Sequence, residues 1–403
     1  MNRRGFLAGA ALALSSRTLA SAQAVEPLDQ IAFLGWLGEL RPRAVQAGIS
    51  DAAWDAAVAG LTPDPVVIVR KATAAETNLT IADYVTGLLD GRGRKARAKF
   101  AALPQLAGMA ERFGVPGGPL VAFWGMESDY GANIGDRDVL RAVATHGAAG
   151  SSGADWGEEF IAAAKVVESG VVARARLVGS YAGAVGQTQL MPTKYLAYGV
   201  DFDGDGKADV WNDSLDALAS AASHLTQASG WRRGESWLEE VALPVGFDLR
   251  SVEPEVSELQ PGAWEAMGVR RADSRPWSPS DRASSARLFL PAGVLGPAFL
   301  AFPNYLAFEG YNPSLAYAVG VGLLAKYAQG ETPYLRPWPH EAPLSREARM
   351  AAQAGLAKLG FYDGRIDGDM GRKSRQALRN WQLSAGRPRD GHLTAEQALA
   401  LSA

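Results

Sequence analysis

The amino-acid sequence predicts a mainly α-helical protein with a small β-containing lobe and a separate helical domain at its C-terminal end. Apolar residues recur at intervals of three and four over much of the stretch from 25 to 229, which is the spacing of one face of a helix. Short β-like runs, VALPVGFDL and ARLFLPAG, replace that pattern between about residues 240 and 300. The helical pattern then returns at 312–328.

The C-terminal domain follows a proline-rich linker, LRPWPHEAPLS at 335–345. We expect three short helices: about 346–359, about 372–383 with Trp381 facing inward, and one that begins at Thr394 with Gln397 completing a capping box. Residues 345–403 contain ten Lys and Arg against six Asp and Glu, whereas the whole chain has a net charge of −3. This asymmetry indicates separate domains and argues against nucleic acid as a partner of the larger one.

Residues 1–24 read as a signal peptide, with a basic start, an apolar centre and small residues at candidate cleavage sites. Arg3 and Arg4 resemble a twin-arginine signal, and the general export route stays open as the alternative. No other stretch contains 18 consecutive apolar residues, so we predict no membrane span. We therefore expect an exported, soluble, periplasmic protein.

The composition excludes most common catalytic groups. The chain has no cysteine, so disulfides, cysteine nucleophiles and a lipidated N-terminal cysteine are excluded. The four histidines do not have the spacing of metal ligands, and neither a G-x-S-x-G motif nor a phosphate-binding glycine loop is present. Carboxylates remain as the candidate catalytic groups.

The stretch FWGMESDYGANIG at 123–135 places a glutamate on the apolar face of a helix. Glu127 continues the stripe of Phe123 and Trp124, and Gly131 offers a helix stop. A buried carboxylate must be paired, protonated at a raised pKa, or exposed to a cleft. On these residues alone, a structural and a catalytic glutamate are equally open.

A second stretch, GSYAGAVGQTQLMPTKY at 179–195, offers neutral hydrogen-bonding groups among small residues. Ser180, Gln187 and Gln189 supply a hydroxyl and two amides, and Pro192 is placed to open a short helix. Neutral groups beside a carboxylic acid suit a sugar, whose hydroxyl and acetamido groups need directional partners.

These stretches, followed by DFDGDGKADVW and a later AFEGYNPSLAYAVGV, resemble the lytic murein transglycosylase B family in order and approximate spacing. The resemblance implies a lysozyme-like helical catalytic region at 25–334 that cuts peptidoglycan glycan strands. Residues 345–403, with LGFYDGRIDGDMGRKSRQALRNWQ, separately resemble the three-helix peptidoglycan-binding domain. Residues 335–344 are then the linker between the two.

The resemblance also implies roles for individual residues. The family's catalytic glutamate falls on Glu127, and the serine and glutamine beside its cleft fall on Ser180 and Gln189. Substrate-binding roles near the cleft fall on three further residues, which are Tyr311, Asn312 and Tyr317. Asp129 is expected to point away from Glu127, because two residues on a helix differ in direction by about 200°.

A single carboxylic acid suffices if the sugar supplies the nucleophile. The resemblance implies that Glu127 acts as general acid and then as base on the β-1,4 bond between N-acetylmuramic acid and N-acetylglucosamine, leaving a 1,6-anhydromuramic acid end. This chemistry requires no cofactor. Two alternatives stay open: a hydrolytic muramidase of the same fold, and a non-catalytic scaffold that binds the cell wall.

The run DFDGDG begins like a calcium-binding EF-hand loop. Asp201, Asp203 and Asp205 occupy positions 1, 3 and 5, and Lys207 would offer its carbonyl at position 7. Position 12 is an asparagine, and the resemblance implies that Asp216 replaces the usual glutamate. A structural calcium ion and a metal-free acidic turn are both open.

Two expectations concern partners and domain organisation. Peptidoglycan glycan strands and other cell-wall enzymes are the expected partners. Because the linker is rich in proline, we expect few contacts to cross it, so that a chain ending near Pro343 folds by itself.

Overall fold

The computed structural model describes residues 28–69 and 79–403. The main region is helical, and its helices in chain order are α1 (Gln30–Gln46), α2 (Asp51–Val58), α3 (Pro65–Val69), α4 (Ile81–Leu88), α5 (Arg94–Ala102), α6 (Gln105–Phe113), α7 (Gly117–Ser128), α8 (Val139–Ala148), α9 (Trp156–Glu168), α10 (Pro192–Tyr198), α11 (Ser214–Ala228), α12 (Pro261–Ala266), α13 (Pro279–Ala283), α14 (Pro303–Tyr311) and α15 (Leu315–Ala328). The predicted signal peptide lies outside the described residues. No helix in the described ranges is long and apolar enough to cross a bilayer.

Helix α7 lies at the centre of the larger apolar core. Leu120, Phe123 and Trp124 are at most 4% exposed, and α7 packs along α15. The two helices approach closely because Gly118 has no side chain: a Cβ there would lie 2.7 Å from the Ala325 carbonyl oxygen. A second core is built largely from α1, α2, α8 and α9. Tyr311 packs against both cores, so the end of α14 marks the place where they meet.

The predicted β-containing lobe is a five-stranded antiparallel sheet in the order β4–β6–β7–β3–β5. The strands of the molecule are β1 (Arg137–Asp138), β2 (Val178–Gly179), β3 (Leu238–Ala242), β4 (Glu258–Leu259), β5 (Arg270–Arg271), β6 (Ala286–Phe289) and β7 (Ala298–Ala301). The run VALPVGFDL contributes only its first two residues to β3, since Pro244 has no N–H to donate to a ladder. The lobe has its own core around Trp264.

The C-terminal domain consists of α16 (Arg346–Lys358), α17 (Arg372–Ser384) and α18 (Ala395–Ser402), close to the predicted bounds. Thr394 caps α18, because its Oγ1 accepts the Gln397 N–H at 3.3 Å. Trp381 packs against the small core of this domain, as predicted.

The C-terminal domain is docked on the β lobe through buried charges. Glu255 lies 2.6 Å from the Arg375 guanidinium and 2.8 Å from that of Arg379, and the two arginine side chains are only 4% and 1% exposed. A second pair joins Arg389 to Glu253 at 2.9 Å. Burial alone would raise the pKa of Glu255, but the two guanidinium charges outweigh burial and lower it. We call these five residues the seam.

The expectation that few contacts cross the linker is therefore wrong. The seam joins residues about 120 positions apart in the chain, which no local pattern reveals. A further bond joins the Val294 N–H to the Asp390 carboxylate at 3.1 Å. A chain that ended near Pro343 would lose Arg375, Arg379 and Arg389, which pair with Glu255 and Glu253 of the β lobe, so the C-terminal domain is packed on the main region.

We predict that Glu255→Ala lowers the free energy of unfolding by about 3–5 kcal/mol, because Arg375 and Arg379 would stay buried without their counter-charge. Urea denaturation of the full chain measures this loss. Glu258→Ala is the matched control: Glu258 pairs with Arg287 at a site where its own side chain is 53% exposed, and such pairs are worth about 0–1 kcal/mol. Equal losses in the two variants would contradict the importance of the seam.

Candidate active site

Glu127 lies in the last turn of α7, half-buried at the end of an otherwise buried helix. The last residue of the helix is Ser128, and the cap residue Asp129 has a left-handed backbone with φ 50°, so the helix ends before the predicted Gly131. Asp129 turns away, as predicted, and its carboxylate pairs with Lys95 at 3.0 Å on the surface. The two neighbouring carboxylates therefore have different environments.

The loop after β2 is fixed to the end of α7 by Gln187. The Trp124 indole N–H donates to Gln187 Oε1 at 2.8 Å, and the Ser128 hydroxyl donates to the Gln187 carbonyl at 2.6 Å. Gly131 makes room for the amide, since a Cβ there would lie 2.5 Å from Gln187 Oε1. Gln187 is thus a positioning residue. The sequence indicated only a neutral hydrogen-bonding role for Gln187, and no pattern in it indicated a role for Ser128.

Ser180 and Gln189 lie at the two ends of this loop. The Ser180 hydroxyl accepts the Ala184 N–H at 3.2 Å. The Gln189 amide donates to the carbonyls of Ile134 and Gly186 at 3.0 and 2.9 Å. Gln189 has φ 51°, a conformation that costs a residue with a side chain about 1–3 kcal/mol and that is often found at functional sites.

Two tyrosines connect the helices α14 and α15 to the site. The Tyr317 hydroxyl donates to Glu127 Oε1, and the Tyr311 hydroxyl donates to the Thr188 carbonyl of the loop. Phe123 packs against Tyr311 with ring centroids 4.4 Å apart. Burial, followed by the nearby Glu127 charge, raises the pKa of both tyrosines well above the usual range, so both remain hydrogen-bond donors.

Asn312 occupies the C-cap position of α14, directly after Tyr311. Its Oδ1 accepts the Ser314 N–H at 3.0 Å, which turns the chain from α14 into α15. A substrate contact by Asn312 stays a prediction.

His224 of α11 is a site neighbour that the sequence did not reveal. Its ring lies between Tyr198 and Tyr311, at centroid distances of 5.3 and 5.6 Å, and it is 7% exposed. Its Nδ1 has no hydrogen-bond partner among the residues that the structure describes. Burial, with a smaller contribution from the Lys194 charge, lowers the pKa of His224 to about 4. His224 is therefore neutral at pH 7.

The acidic loop brings three of its predicted ligands together. Carboxylate oxygens of Asp201, Asp203 and Asp205 lie within 4.8 Å of one another. Asp216 is outside this group: its two oxygens accept the N–H groups of Phe202 and Asp209, each at 2.8 Å.

The structure gives Asp216 a structural role, and the ligand role that the resemblance implies stays a prediction. Asp216 holds both ends of the loop against α11 through backbone bonds. The Lys207 N–H donates to Asp205 at 2.9 Å, and the role of the Lys207 carbonyl stays a prediction.

We predict that the free energy of unfolding falls as the pH falls from about 6.5 to about 4, by up to about 3 kcal/mol from His224 alone. In that range the unfolded chain binds a proton at this histidine and the folded chain does not, so protonation favours unfolding. Urea denaturation over this range should show a shallower decline for His224→Gln. His340→Gln, at an exposed position, should keep the decline of the unmodified chain.

The chain is similar to several known proteins. The membrane-bound lytic murein transglycosylase B of Escherichia coli (strain K12) is 30% identical over 223 residues, which are 53% of this chain and 57% of that protein. The chain therefore matches little more than half the length of that relative.

Solved structures extend the likeness over more of the chain. SltB3 from Pseudomonas aeruginosa, solved with NAG-anhNAM-pentapeptide and also with NAG-NAM-pentapeptide, is 39% identical. The match covers 92% of this chain and 99% of SltB3, with a TM-score of 0.82. SltB1 from the same organism is 24% identical, with a TM-score of 0.60. The match covers 75% of this chain and 99% of SltB1, and it supports the fold alone.

Two family descriptions together cover most of the chain. Residues 345–401 match the peptidoglycan binding domain family, which corresponds to α16–α18. Residues 32–326 match the family described as Transglycosylase SLT domain, and this range contains Glu127, the Gln187 loop and both tyrosines. The chain therefore belongs to the lytic transglycosylase family.

Proposed function

We propose that this protein is a lytic transglycosylase that cleaves the β-1,4 bond between N-acetylmuramic acid and N-acetylglucosamine in peptidoglycan. The observation that carries the proposal is the contact between the Tyr317 hydroxyl and the half-buried Glu127 carboxylate, opposite a loop of neutral hydrogen-bonding groups. Asp129, the adjacent carboxylate, is engaged on the surface by Lys95. A mechanism that needs a single acid fits this arrangement.

The proposed reaction has two steps, both on Glu127. Protonated Glu127 gives its proton to the glycosidic oxygen, and the bond from that oxygen to C1 of the muramic acid breaks. Ionised Glu127 then takes the proton of the C6 hydroxyl while that oxygen bonds to C1. The products are a 1,6-anhydro ring and a free 4-hydroxyl group, and no water is consumed.

The neighbours of Glu127 have supporting roles in this proposal. The Tyr317 hydroxyl remains a donor because burial raises its pKa, and it therefore stabilises the ionised Glu127 that forms between the steps. Ser180 and Gln189 are the proposed contacts to sugar hydroxyl and acetamido groups, together with Tyr311 and Asn312. The C-terminal domain is the proposed second contact with the wall.

Glu127→Gln should lower turnover of purified sacculi by at least about 10²-fold, because the amide keeps the shape but has no proton to transfer. Mass spectrometry of the released muropeptides measures both rate and product. Asp129→Asn is the matched control and should retain activity, since Asp129 pairs with Lys95 on the surface.

The same assay separates the alternatives. Reducing muramic acid ends would identify a hydrolytic muramidase, whereas 1,6-anhydro ends identify a transglycosylase. Full activity in Glu127→Gln would assign the acid to another residue. No release by the unmodified chain would favour a scaffold that only binds the wall.

We also propose that the acidic loop binds a structural calcium ion. Three carboxylates lie close enough to share one cation, and oxygen ligands suit calcium. Bonds from the Gly206 and Gly204 N–H groups lower the pKa of Asp201, which favours the ionised form that a cation needs. Such an ion would stiffen the loop that Asp216 holds against α11.

Calcium added to chelated protein should raise the melting temperature in a concentration-dependent manner. The double variant Asp203→Ala with Asp205→Ala should abolish that response. Asp363 lies elsewhere, and its side chain is 94% exposed. Asp363→Ala is therefore the control and should leave the calcium response unchanged. A flat response in the unmodified chain would identify the loop as a metal-free turn.

Export to the periplasm is the remaining part of the proposal. It rests on the sequence of residues 1–24 and on the nature of the substrate, a polymer that lies outside the cytoplasm.

A further inference from the structure

The chain turns sharply where α7 ends. Asp129, Tyr130 and Gly131 follow one another with φ values of 50°, 62° and 81°, so all three have a left-handed backbone. Glycine adopts this conformation readily, whereas a residue with a Cβ is strained in it. We call Asp129–Gly131 the left-handed turn. It begins two residues after Glu127.

Strained backbone of this kind is concentrated at the candidate site. Among the residues that the structure describes, five other than glycine have a positive φ. Three of these five, Asp129, Tyr130 and Gln189, lie at the end of α7 or in the loop opposite it. Such strain persists only where the surrounding contacts over-determine it, and it is often connected with function. The contacts that hold the left-handed turn are therefore candidates for a role in the reaction.

The inner side of the left-handed turn is held by α7 itself. The Tyr130 N–H donates to the Trp124 carbonyl at 3.1 Å, and the Gly131 N–H donates to the Ser128 hydroxyl at 2.9 Å. The Tyr130 ring lies edge-on to the Trp124 ring. Gly125 leaves room for this ring, since a Cβ there would be 2.6 Å from the Tyr130 hydroxyl. These contacts close the last turn of α7.

The outer side of the left-handed turn is held by a lysine near the start of α5. Lys95 Nζ donates to the Asp129 carbonyl at 3.1 Å and lies 3.0 Å from the Asp129 carboxylate. The same ammonium lies 5.0 Å from the centroid of the Tyr130 ring, within the range of a cation–π contact. The Tyr130 hydroxyl donates to the Arg92 carbonyl at 3.2 Å, just before α5 begins. Lys95 thus contacts two consecutive left-handed residues.

The backbone that presents Lys95 is itself irregular. Leu89–Gly93 forms a π-helical turn between α4 and α5. Such turns are rare and are frequently found at functional sites. Gly93 packs against the Tyr327 ring of α15, since a Cβ there would be 3.0 Å from a ring carbon. The start of α5 is therefore seated on the helix that also carries Tyr317.

We propose that Lys95 is a positioning residue for the reaction at Glu127 and that it acts through the left-handed turn. This inference rests on the proposed function. Lys95 keeps the turn closed, the closed turn keeps the last turn of α7 intact, and the Glu127 carboxylate then keeps one direction toward the bond that is cut. A displacement of about 1 Å can lower a rate about 10²-fold. An ion pair at a partly exposed site contributes little to overall stability, so losing the ammonium should affect the rate far more than the fold.

Lys95→Met tests this inference, because methionine keeps much of the length of the side chain but has neither the charge nor the N–H donors. On soluble peptidoglycan fragments, kcat should fall by about tenfold to 10²-fold, while KM changes by less than about twofold. Lys95→Arg retains a cation with N–H donors and should recover most of the lost kcat. Arg94→Met removes the adjacent, exposed positive charge of α5 and should keep the parent kcat. Melting temperatures establish that each variant is folded.

Hydrogen exchange tests the left-handed turn without reference to the reaction. The amide groups of Tyr130 and Gly131 should exchange faster in Lys95→Met than in the unmodified chain, because their bonds to α7 would open more often. Arg94→Met should leave that exchange unchanged. Asp129→Asn removes the carboxylate contact but keeps the bond from Lys95 to the Asp129 carbonyl, so it remains a suitable control for Glu127→Gln.

An unchanged kcat in Lys95→Met would overturn the inference, whether or not exchange at the turn becomes faster. Equal losses of kcat in Lys95→Met and Arg94→Met would assign the effect to net charge and would also overturn it. If the unmodified chain forms no anhydro ends, the proposed function is wrong. Faster exchange in Lys95→Met would then still establish that Lys95 holds the turn, whereas unchanged exchange would contradict both proposals.

Discussion

The burial of α7 between its neighbours is the constraint on which the rest of the structure depends. A helix that is apolar on all sides can carry a carboxylate only at its end, where the core stops. Helix α15 is the element that buries α7, and it also carries Tyr317, whose hydroxyl donates to Glu127. The packing of α15 that partly buries Glu127 therefore also supplies the hydrogen-bond donor that the carboxylate needs. Gly118 makes this possible by bringing the two backbones together.

The loop opposite Glu127 takes its shape from contacts with three helices. Gln187 holds it to α7, the Thr188 hydroxyl donates to the Ala217 carbonyl of α11 at 3.2 Å, and Tyr311 donates to it from the end of α14. These bonds fix the backbone on both sides of Gln189, whose left-handed conformation would otherwise be unfavourable. The strain at Gln189 is thus sustained by the surrounding packing, as expected for a group whose direction matters.

Patterns within single stretches of sequence predicted the features that depend on one helix or turn alone. The stripe through Phe123 and Trp124 predicted the helix and the position of Glu127, and cap and turn residues predicted the three C-terminal helices. His224 could not be found in this way, because its importance comes from rings on two other elements. The ligand role of Asp216 stays a prediction, because a carboxylate that accepts two backbone N–H groups can also bind an ion.

The seam changes how the charge of the C-terminal domain should be understood. Composition alone suggests a basic domain that is drawn to an acidic polymer, but Arg375, Arg379 and Arg389 are paired with Glu253 and Glu255 of the β lobe. Those cations hold the domain to the enzyme and are not available to the wall. The wall contact that we propose for this domain therefore depends more on shape and on neutral groups than the net charge of the domain implies. Because the docking is buried, the domain also keeps a set orientation relative to Glu127.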